Sequence, residues 1–316
     1  MNDAVRTGRV MRAMRASSSD PASLASQSVP VPEPGPGELL VEVRGTAVTA
    51  HELTWPESWP AIPCHDLSGV VAAVGDGASG WRTGDEVWGL VGFDRPGAAA
   101  EYVTVPVADL AAKPVSVDHL QAAAVPLGAL TAWQALHQHA QLAAGQHVLV
   151  HGGAGGVGAY AVQLAALAGA RVTATASARD LAFVAGLGAR DALDYSGRFE
   201  DHVRDVDIVI DPVGGTTTAR SWPVIRSGGT LVAIAEEPDP AQGSRSDVRG
   251  VYFVVRPDGH QLRELAALID KQQLRPAVSA VFELAALPEA FRAQRAARLP
   301  GKVIISVSRT TGDDRT

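Results

Sequence analysis

The stretch that most constrains this chain is Gln146–Arg171, QHVLVHGGAGGVGAYAVQLAALAGAR. His147–His151 is a short β-branched run suited to a buried strand, and it leads directly into Gly152-Gly153-Ala154-Gly155-Gly156-Val157-Gly158. Tyr160, Val162, Leu164, Ala165 and Leu167 then follow at helical density, with Gly169 where a helix C-cap is expected. Strand, glycine turn and helix in immediate succession form the context that a dinucleotide fingerprint requires. Gly153, Gly155 and Gly158 satisfy G-x-G-x-x-G. The first allows the tight turn, the second lets backbone approach a pyrophosphate, and the third lets the helix pack closely on the strand. The pyrophosphate would rest on the free N–H groups of the helix N-terminus, with Ala154, Gly156 and Val157 completing the cradle. The competing reading is a structural glycine turn with no ligand.

Composition then narrows the class. A chain of 316 residues suits about two domains and is ample for a buried core. Its 46% hydrophobic and 19% charged content is that of a soluble globular protein. Net charge is −7, from 27 basic and 34 acidic residues with no basic block, which disfavours a nucleic-acid partner. One cysteine, Cys64, excludes an internal disulfide framework and a cysteine-built zinc site. No apolar run approaches the ~18 residues that a membrane span needs. The opening MNDAVRTGRVMRAMRASSS has the spaced arginines and serines of a transit peptide. The plainer reading is a disordered extension over residues 1–10, with a first strand near Met11 or Met14. That reading places the protein in the cytoplasm, since no secretory apolar segment follows.

Along the chain, residues 11–48 read as strands broken by a turn at Val31–Glu38, where three prolines and two glycines forbid regular structure. Leu39–Val43 and Leu67–Val74 are strand runs, as are Glu86–Val91 and Tyr102–Val105. Between them Thr49–Pro63 carries Trp55, Trp59 and three prolines, which suits a loop able to line a pocket. Short strands with frequent turns predict a small Greek-key-like barrel. After Asp118 the pattern becomes helical, interrupted at Pro126. From His147 strands (171–175, 192–195, 207–211, 230–235, 251–255) alternate with helices (178–186, 215–225, 258–271), which predicts a parallel, doubly wound α/β sheet. A strand near 278–283, a helix near 287–297 and the strand Lys302–Val307 are expected to rejoin the first domain.

The ordered set Pro32–Glu38, Leu67-Ser68-Gly69-Val70-Val71 with Val74-Gly75, and Gly84-Asp85-Glu86-Val87 carries a family likeness. Ala124–Leu127 with Leu130–Trp133, His151–Gly158, Asp211–Gly215 and Gly301-Lys302-Val303 continue it. Together they resemble the zinc-free quinone oxidoreductase branch of the medium-chain dehydrogenase/reductase superfamily, over nearly the whole chain after Met11. The resemblance implies a GroES-like β-barrel catalytic domain made from residues 11–125 and 257–316, with a Rossmann domain at 126–256. It also implies NADP(H) as cofactor, and homodimers joined edge to edge through the strand at Val251–Val255.

Zinc-dependent relatives hold their metal with Cys-His, Gly-His-Glu and a further cysteine. The matching places here are Ala50-His51, Cys64-His65-Asp66 and the neighbourhood of Leu127. A catalytic zinc needs at least three protein donors at about 2.0–2.3 Å, and both cysteine positions lack one. No metal is therefore expected. His65 is expected to make structural hydrogen bonds and Asp66 to brace the neighbouring loop. Without a Lewis acid to acidify an alcohol, an activated acceptor such as a quinone or enone suits the site better.

NAD sites usually place Asp or Glu at the end of the second strand. Here that strand ends Thr175-Ala176-Ser177-Ala178-Arg179, offering a hydroxyl and a guanidinium. These match the oxygens of a 2′-phosphate, which arginine meets bidentately. The alternative is a variant capping box of Ser177 with Asp180 and a solvated Arg179. Asp180 itself is expected to point along its own helix. By the resemblance, Tyr195 stands beside that phosphate, Thr131 and Val213 at the cofactor, and Tyr252-Phe253-Val254 beside the carboxamide.

Hydride transfer needs chiefly alignment of donor and acceptor, with help for developing oxyanion character. Where the family carries Asn-x-x-Asp this chain has Thr49-Ala50-His51-Glu52, so Thr49, His51 and Tyr252 are the polar catalytic candidates. Trp55 and Phe93 are the substrate-pocket candidates. No G-x-S-x-G nucleophile, H-E-x-x-H or Walker A motif is present. The leading reading is an NADPH-dependent oxidoreductase passing hydride to a quinone or α,β-unsaturated carbonyl. A dedicated enoyl or ketone reductase of a biosynthetic pathway and a non-catalytic NADPH-binding scaffold remain open.

Overall fold

A computed structural model describes residues 9–239, 247–297 and 300–307. Most of the extension expected over residues 1–10 lies outside the described residues. Arg9 and Val10 are already ordered: Val31 N–H donates to Arg9 O, and Val10 opens the first strand. The chain divides into two compact units, residues 1–126 with 257–270 and 278–316, and residues 127–256 with 271–277.

In the first unit β1 (Val10–Arg15) and β2 (Ala25–Pro30) form an antiparallel hairpin. The main sheet is built on β3 (Glu38–Val48), which pairs antiparallel with β4 (Asp66–Val74), with β6 (Tyr102–Pro106) and with β15 (Lys302–Ser306). β5 (Glu86–Leu90) and β7 (Leu110–Ala112) extend it on one side, and β14 (Val278–Glu283) on the other. Alternation along β3 explains its burial. Leu39, Val41 and Val43 join one core with Leu67, Val71, Val103, Val303 and Ile305, while Leu40 faces a second cluster with Met11, Ala13 and Tyr102. Each such aliphatic side chain stabilises by about 1.5–3 kcal/mol when fully buried. The pairing Val303↔Val48 brings the C-terminal tail onto a strand some 255 residues earlier. Helices α1 (His119–Ala123), α6 (Gly259–Asp270) and α7 (Leu287–Ala297) complete this unit.

Among the described residues, the second unit holds six parallel strands: β8 (His147–Val150), β9 (Arg171–Ala176), β10 (Asp191–Asp194), β11 (Val206–Asp211), β12 (Ile225–Ala233) and β13 (Arg249–Tyr252). Their order in the sheet is β10-β9-β8-β11-β12-β13. Counted within the sheet this is 3-2-1-4-5-6, the doubly wound order with its switch point between β8 and β11. The helices are α2 (Pro126–Trp133, its first residue in the first unit), α3 (Gly158–Leu167), α4 (Leu181–Gly186) and α5 (Thr216–Ser221). Alanine and glycine let α3 lie almost flush on the sheet, with every residue from Gly158 to Ala165 buried.

Three details differ from the sequence pattern. β13 ends at Tyr252 rather than reaching Val255: the Phe253 ring packs on His139, 4.3 Å between centroids, and the Gln134 side chain holds Arg256 N–H and O. Residues 134–139 form a π-helical turn, with Ala140 N–H reaching back to Ala135 O, where the pattern suggested plain helix. Residues 271–277 pack in the second unit because Gln163 bonds the main chain of Arg275 in both directions and the Tyr160 hydroxyl accepts from Ala277 N–H. Among the described residues, no helix is long and apolar enough to cross a membrane.

Candidate functional site

At the switch point of the parallel sheet the chain makes its glycine turn. Gly153 N–H donates to Thr175 O at 2.8 Å, and Gly155 N–H to Gly152 O at 2.8 Å. A Cβ at Gly158 would lie 2.1 Å from Gly152 O, and one at Gly153 2.9 Å from the Ala174 Cβ, so both positions are filled by neighbouring chain. At Gly155, which is exposed, only Gly152 O comes near, at 3.2 Å. The three glycines thus divide into two that pack and one that leaves an open face. That open face lies at the start of α3, just before Ala159 and Tyr160, whose own N–H groups donate to Gly155 O at 3.0 Å and Val157 O at 3.1 Å. Ala154 is buried behind it, and Gly156 and Val157 are half-buried at the rim. This cradle fits a dinucleotide pyrophosphate.

Behind the turn, His151 is locked from both ring nitrogens. The Ser221 hydroxyl gives its proton to Thr217 O at 2.7 Å, so it accepts from His151 Nε2–H at 2.9 Å. Nδ1 then accepts from the Thr175 hydroxyl at 3.1 Å, whose oxygen also faces Gly152 N–H at 3.3 Å. Burial lowers the His151 pKa to about 4, against partial opposition from Asp211, and keeps the ring neutral. The adjoining loop is held by buried Asp211, which accepts from Val213 N–H, Gly214 N–H and the Thr218 hydroxyl. A Cβ at Gly152 would meet Val213 Cγ2 at 3.2 Å, so Val213 lies beside the glycine turn.

At the end of β9, Tyr195 N–H donates to Ala176 O at 2.9 Å, which sets Tyr195 against the loop of Ser177 and Arg179. Ser177 makes no side-chain cap to its helix, so the alternative capping box is not formed. Its hydroxyl donates to Asp180 Oδ2 at 2.5 Å, and Arg179 Nε lies 3.6 Å from the same oxygen. Asp180, expected to point along its own helix, turns back instead onto these two residues. Elsewhere in this unit the Thr131 hydroxyl is buried and gives its proton to Leu127 O at 2.6 Å. Tyr252 and Val254 are exposed, and Phe253 packs on His139.

In the first unit a cavity of about 920 Å³ is lined by Glu52, Trp55, His65, Phe93, Arg95 and Tyr102, among others. Trp55 and Phe93, 40% and 36% exposed, meet edge to face at 5.3 Å, and His65 lies 5.1 Å from Phe93 and 6.4 Å from Trp55. His65 Nδ1–H donates to Val91 O at 3.1 Å, and burial lowers its pKa. Beneath the loop lies a charged cluster. Lys302, 3% exposed, donates from Nζ to Thr49 Oγ1 at 2.7 Å and pairs with Asp66 Oδ2 at 2.9 Å. Glu52 accepts from Thr49 N–H at 3.1 Å and Cys64 N–H at 2.7 Å, which clasps the two ends of the loop together. Burial raises the Glu52 pKa to about 7, opposed by Lys302 and the two N–H bonds and reinforced by Asp66. His51 is exposed with a left-handed backbone, φ 62°.

Residues 35–115 match the model of the alcohol dehydrogenase GroES-like domain, and residues 187–305 that of the zinc-binding dehydrogenase. A probable zinc-binding oxidoreductase of Arthroderma benhamiae is 30% identical over 90% of this chain and 93% of its own. The chain belongs to the quinone oxidoreductase branch of the medium-chain dehydrogenase/reductase superfamily. A chloroplastic NADPH-dependent alkenal/one oxidoreductase of Arabidopsis thaliana is 34% identical over 78% of this chain and 64% of its own. The structure of the quinone oxidoreductase from Coxiella burnetii superimposes with a TM-score of 0.88 at 29% identity, over 95% of this chain and all of that one.

Within this oxidoreductase superfamily the metal question turns on donors. Ala50 and Leu127 have none. His65 is bonded to main chain, Asp66 to Lys302, and Glu52 to two backbone N–H groups. Burial, and then the nearby Glu52 charge, raise the Cys64 thiol pKa. Among the described residues, no three His, Cys, Asp or Glu side chains converge as a metal ion requires. These residues do not fit a zinc site. His65 makes the structural bond expected of it, and Asp66 braces the loop through Lys302.

Glu52, Lys302, Gln134 and the His151 relay escaped the sequence reading as site residues. Apart from Thr49, three positions before Glu52, the partners lie 12 to 253 positions away, so little in the local pattern announces them. Three of them stood in family segments: Glu52 closes Thr49-Ala50-His51-Glu52, His151 opens His151–Gly158, and Lys302 lies in Gly301-Lys302-Val303.

Proposed function

We propose that this protein is a zinc-independent, NADPH-dependent reductase of quinones or other α,β-unsaturated carbonyl compounds. The observation that carries this reading is the aromatic trio Trp55, His65 and Phe93 at a roomy cavity, with the nearby metal-binding side chains already spent on main chain and on Lys302. Flat conjugated acceptors suit such walls. The names of the Arabidopsis and Coxiella relatives point the same way.

Bound NADPH supplies hydride. The chain's own residues bind and orient. Gly153–Gly158 cradle the pyrophosphate, and Ser177, Arg179 and Tyr195 surround the 2′-phosphate. Val213, Thr131 and the Phe253–Val254 main chain flank the rest of the cofactor, with Tyr252 beside the carboxamide. In the first unit, Thr49 accepts from the Lys302 ammonium, so its own proton is available for an acceptor oxygen as negative charge develops there. His51, exposed at the loop, is the other polar side chain proposed for the acceptor. The open edge of β13 supports a homodimer joined sheet to sheet.

Purified protein assayed with NADPH against benzoquinones, naphthoquinones and alkenals should consume cofactor steadily, and chelators should not slow it. Alcohol oxidation with NADP and no reduction of conjugated acceptors would overturn the proposal. NADPH binding without turnover on any acceptor would favour the scaffold instead.

A further inference from the structure

We infer that Asp180 sets the cofactor preference by competing for the two groups that would hold a 2′-phosphate. The inference rests on the proposed placement of that phosphate at Ser177 and Arg179. Ser177 has a single hydroxyl proton, and in the structure it is already given to Asp180 Oδ2. The same carboxylate oxygen lies 3.6 Å from Arg179 Nε, so the guanidinium charge facing the site is partly compensated. Asp180 is held in this position by its own N–H, which donates to Ser177 O at 2.9 Å, and by the burial of its side chain at the foot of α4. Arg179, by contrast, has a side chain that is 60% exposed.

The consequences differ for the two nicotinamides. A 2′-phosphate brings negative charge beside a carboxylate and requires Ser177 to withdraw its proton from Asp180 before it can donate. A ribose 2′-hydroxyl carries its own proton and can donate it to the Ser177 oxygen or to the carboxylate, without disturbing either residue. Asp180 therefore narrows the advantage that Arg179 confers on NADPH and keeps NADH usable. It does the work of the strand-end acid of NAD sites from four residues beyond Ala176.

Calorimetric titration of NADPH and NADH into wild type and variants tests this directly. Asp180→Asn keeps the size and a hydrogen-bond acceptor but removes the charge. It should tighten NADPH about three- to tenfold and weaken NADH by a few-fold. Ser177→Ala should cost little NADPH affinity in the wild type, where the hydroxyl is engaged, but several-fold in the Asp180→Asn background, a coupling that a double-mutant cycle reads out. Melting temperatures verify folding, and Asp180→Ser serves as the second variant if Asp180→Asn is unstable. If Arg179→Ala weakens NADPH while the Asp180 variants change neither cofactor, the inference fails and the phosphate site stands. If Arg179→Ala and Ser177→Ala both leave NADPH binding unchanged in every background, the phosphate lies elsewhere and both readings fall.

Discussion

The glycine turn of the second unit and the loop from Thr49 to Asp66 in the first unit are the two proposed ligand sites, yet they are made by opposite means. In the turn, the proposed ligand groups are main-chain N–H, and the three glycines that shape it stand within six residues of one another, pinned to Thr175 O through Gly153 N–H. In the loop, the shape depends on three buried ionisable groups, Glu52, Asp66 and Lys302, drawn from separate parts of the chain. Backbone amides are neutral and need only geometry. Buried charges must be compensated, because a lone one costs several kcal/mol. The turn should therefore be sensitive above all to added volume, whereas the loop should be sensitive to charge.

The sharpest test of this contrast separates the two kinds of glycine. Gly155→Val should reduce NADPH affinity by roughly a hundredfold or more while circular dichroism and the melting temperature stay near wild type, since the side chain fills the pyrophosphate space and little else. Gly158→Ala should do the reverse and lower stability by about 1–3 kcal/mol or more, because its Cβ would meet Gly152 O at 2.1 Å. A folded Gly155→Val that binds NADPH normally would break the comparison on the cofactor side.

Next in size is Lys302→Met, which removes the cation paired with buried Asp66. Urea denaturation should show a loss of about 3–5 kcal/mol. A loss below about 1 kcal/mol would mean that the cluster does not hold the loop.

The pH dependence distinguishes the two regions by sign. The folded-state pKa of Glu52 is raised from 4.5 to about 7, so its stabilising form is the protonated one. Its contribution is fully present below pH about 4.5 and is lost as pH rises through 7, a difference of about 3 kcal/mol from 2.5 units at 1.36 each. His151 is depressed from 6.5 to about 4 and behaves oppositely. Its neutral form is fully effective above pH about 6.5, and stability falls as pH drops through 4. Chemical denaturation from pH 4 to 8 should show the wild type losing ground to Glu52→Gln at the alkaline end and to His151→Gln at the acid end. Parallel profiles for wild type and both variants would refute this.

Arg179→Ala should weaken NADPH about tenfold, the effect of one charge-assisted pair, and leave NADH nearly unchanged. The smallest effect belongs to Trp55→Ala. With 40% of the residue exposed, the change should leave the melting temperature alone and raise KM for a quinone a few-fold through lost aromatic contact. An unchanged KM would remove Trp55 from the pocket's working surface.

How far the chain could be read in advance follows the same division. The strands at 278–283 and the helix at 287–297 lie where hydrophobic periodicity puts them, and the G-x-G-x-x-G turn sits at the strand-to-helix junction that its spacing requires. β7 was not foreseen, since LAA has no alternation to show, and β2 falls inside the 11–48 stretch read as strands, though with no bounds of its own. β13 stops short of Val255 because Gln134, 122 residues before Arg256, captures the main chain that a continued strand would have used.

The amino-acid sequence by itself determined the order of elements, the parallel doubly wound sheet and the three glycine positions, because period-two and period-3.6 burial and glycine's small volume act over a few residues. Only the tertiary structure decided which polar groups meet. It turned Asp180 back on Ser177 and Arg179, placed Lys302 between Thr49 and Asp66, raised Glu52 toward neutrality and fixed the tautomer of His151. Electrostatic and hydrogen-bond partners are chosen by distance in space and by exclusion of water, and neither can be read from positions along a chain.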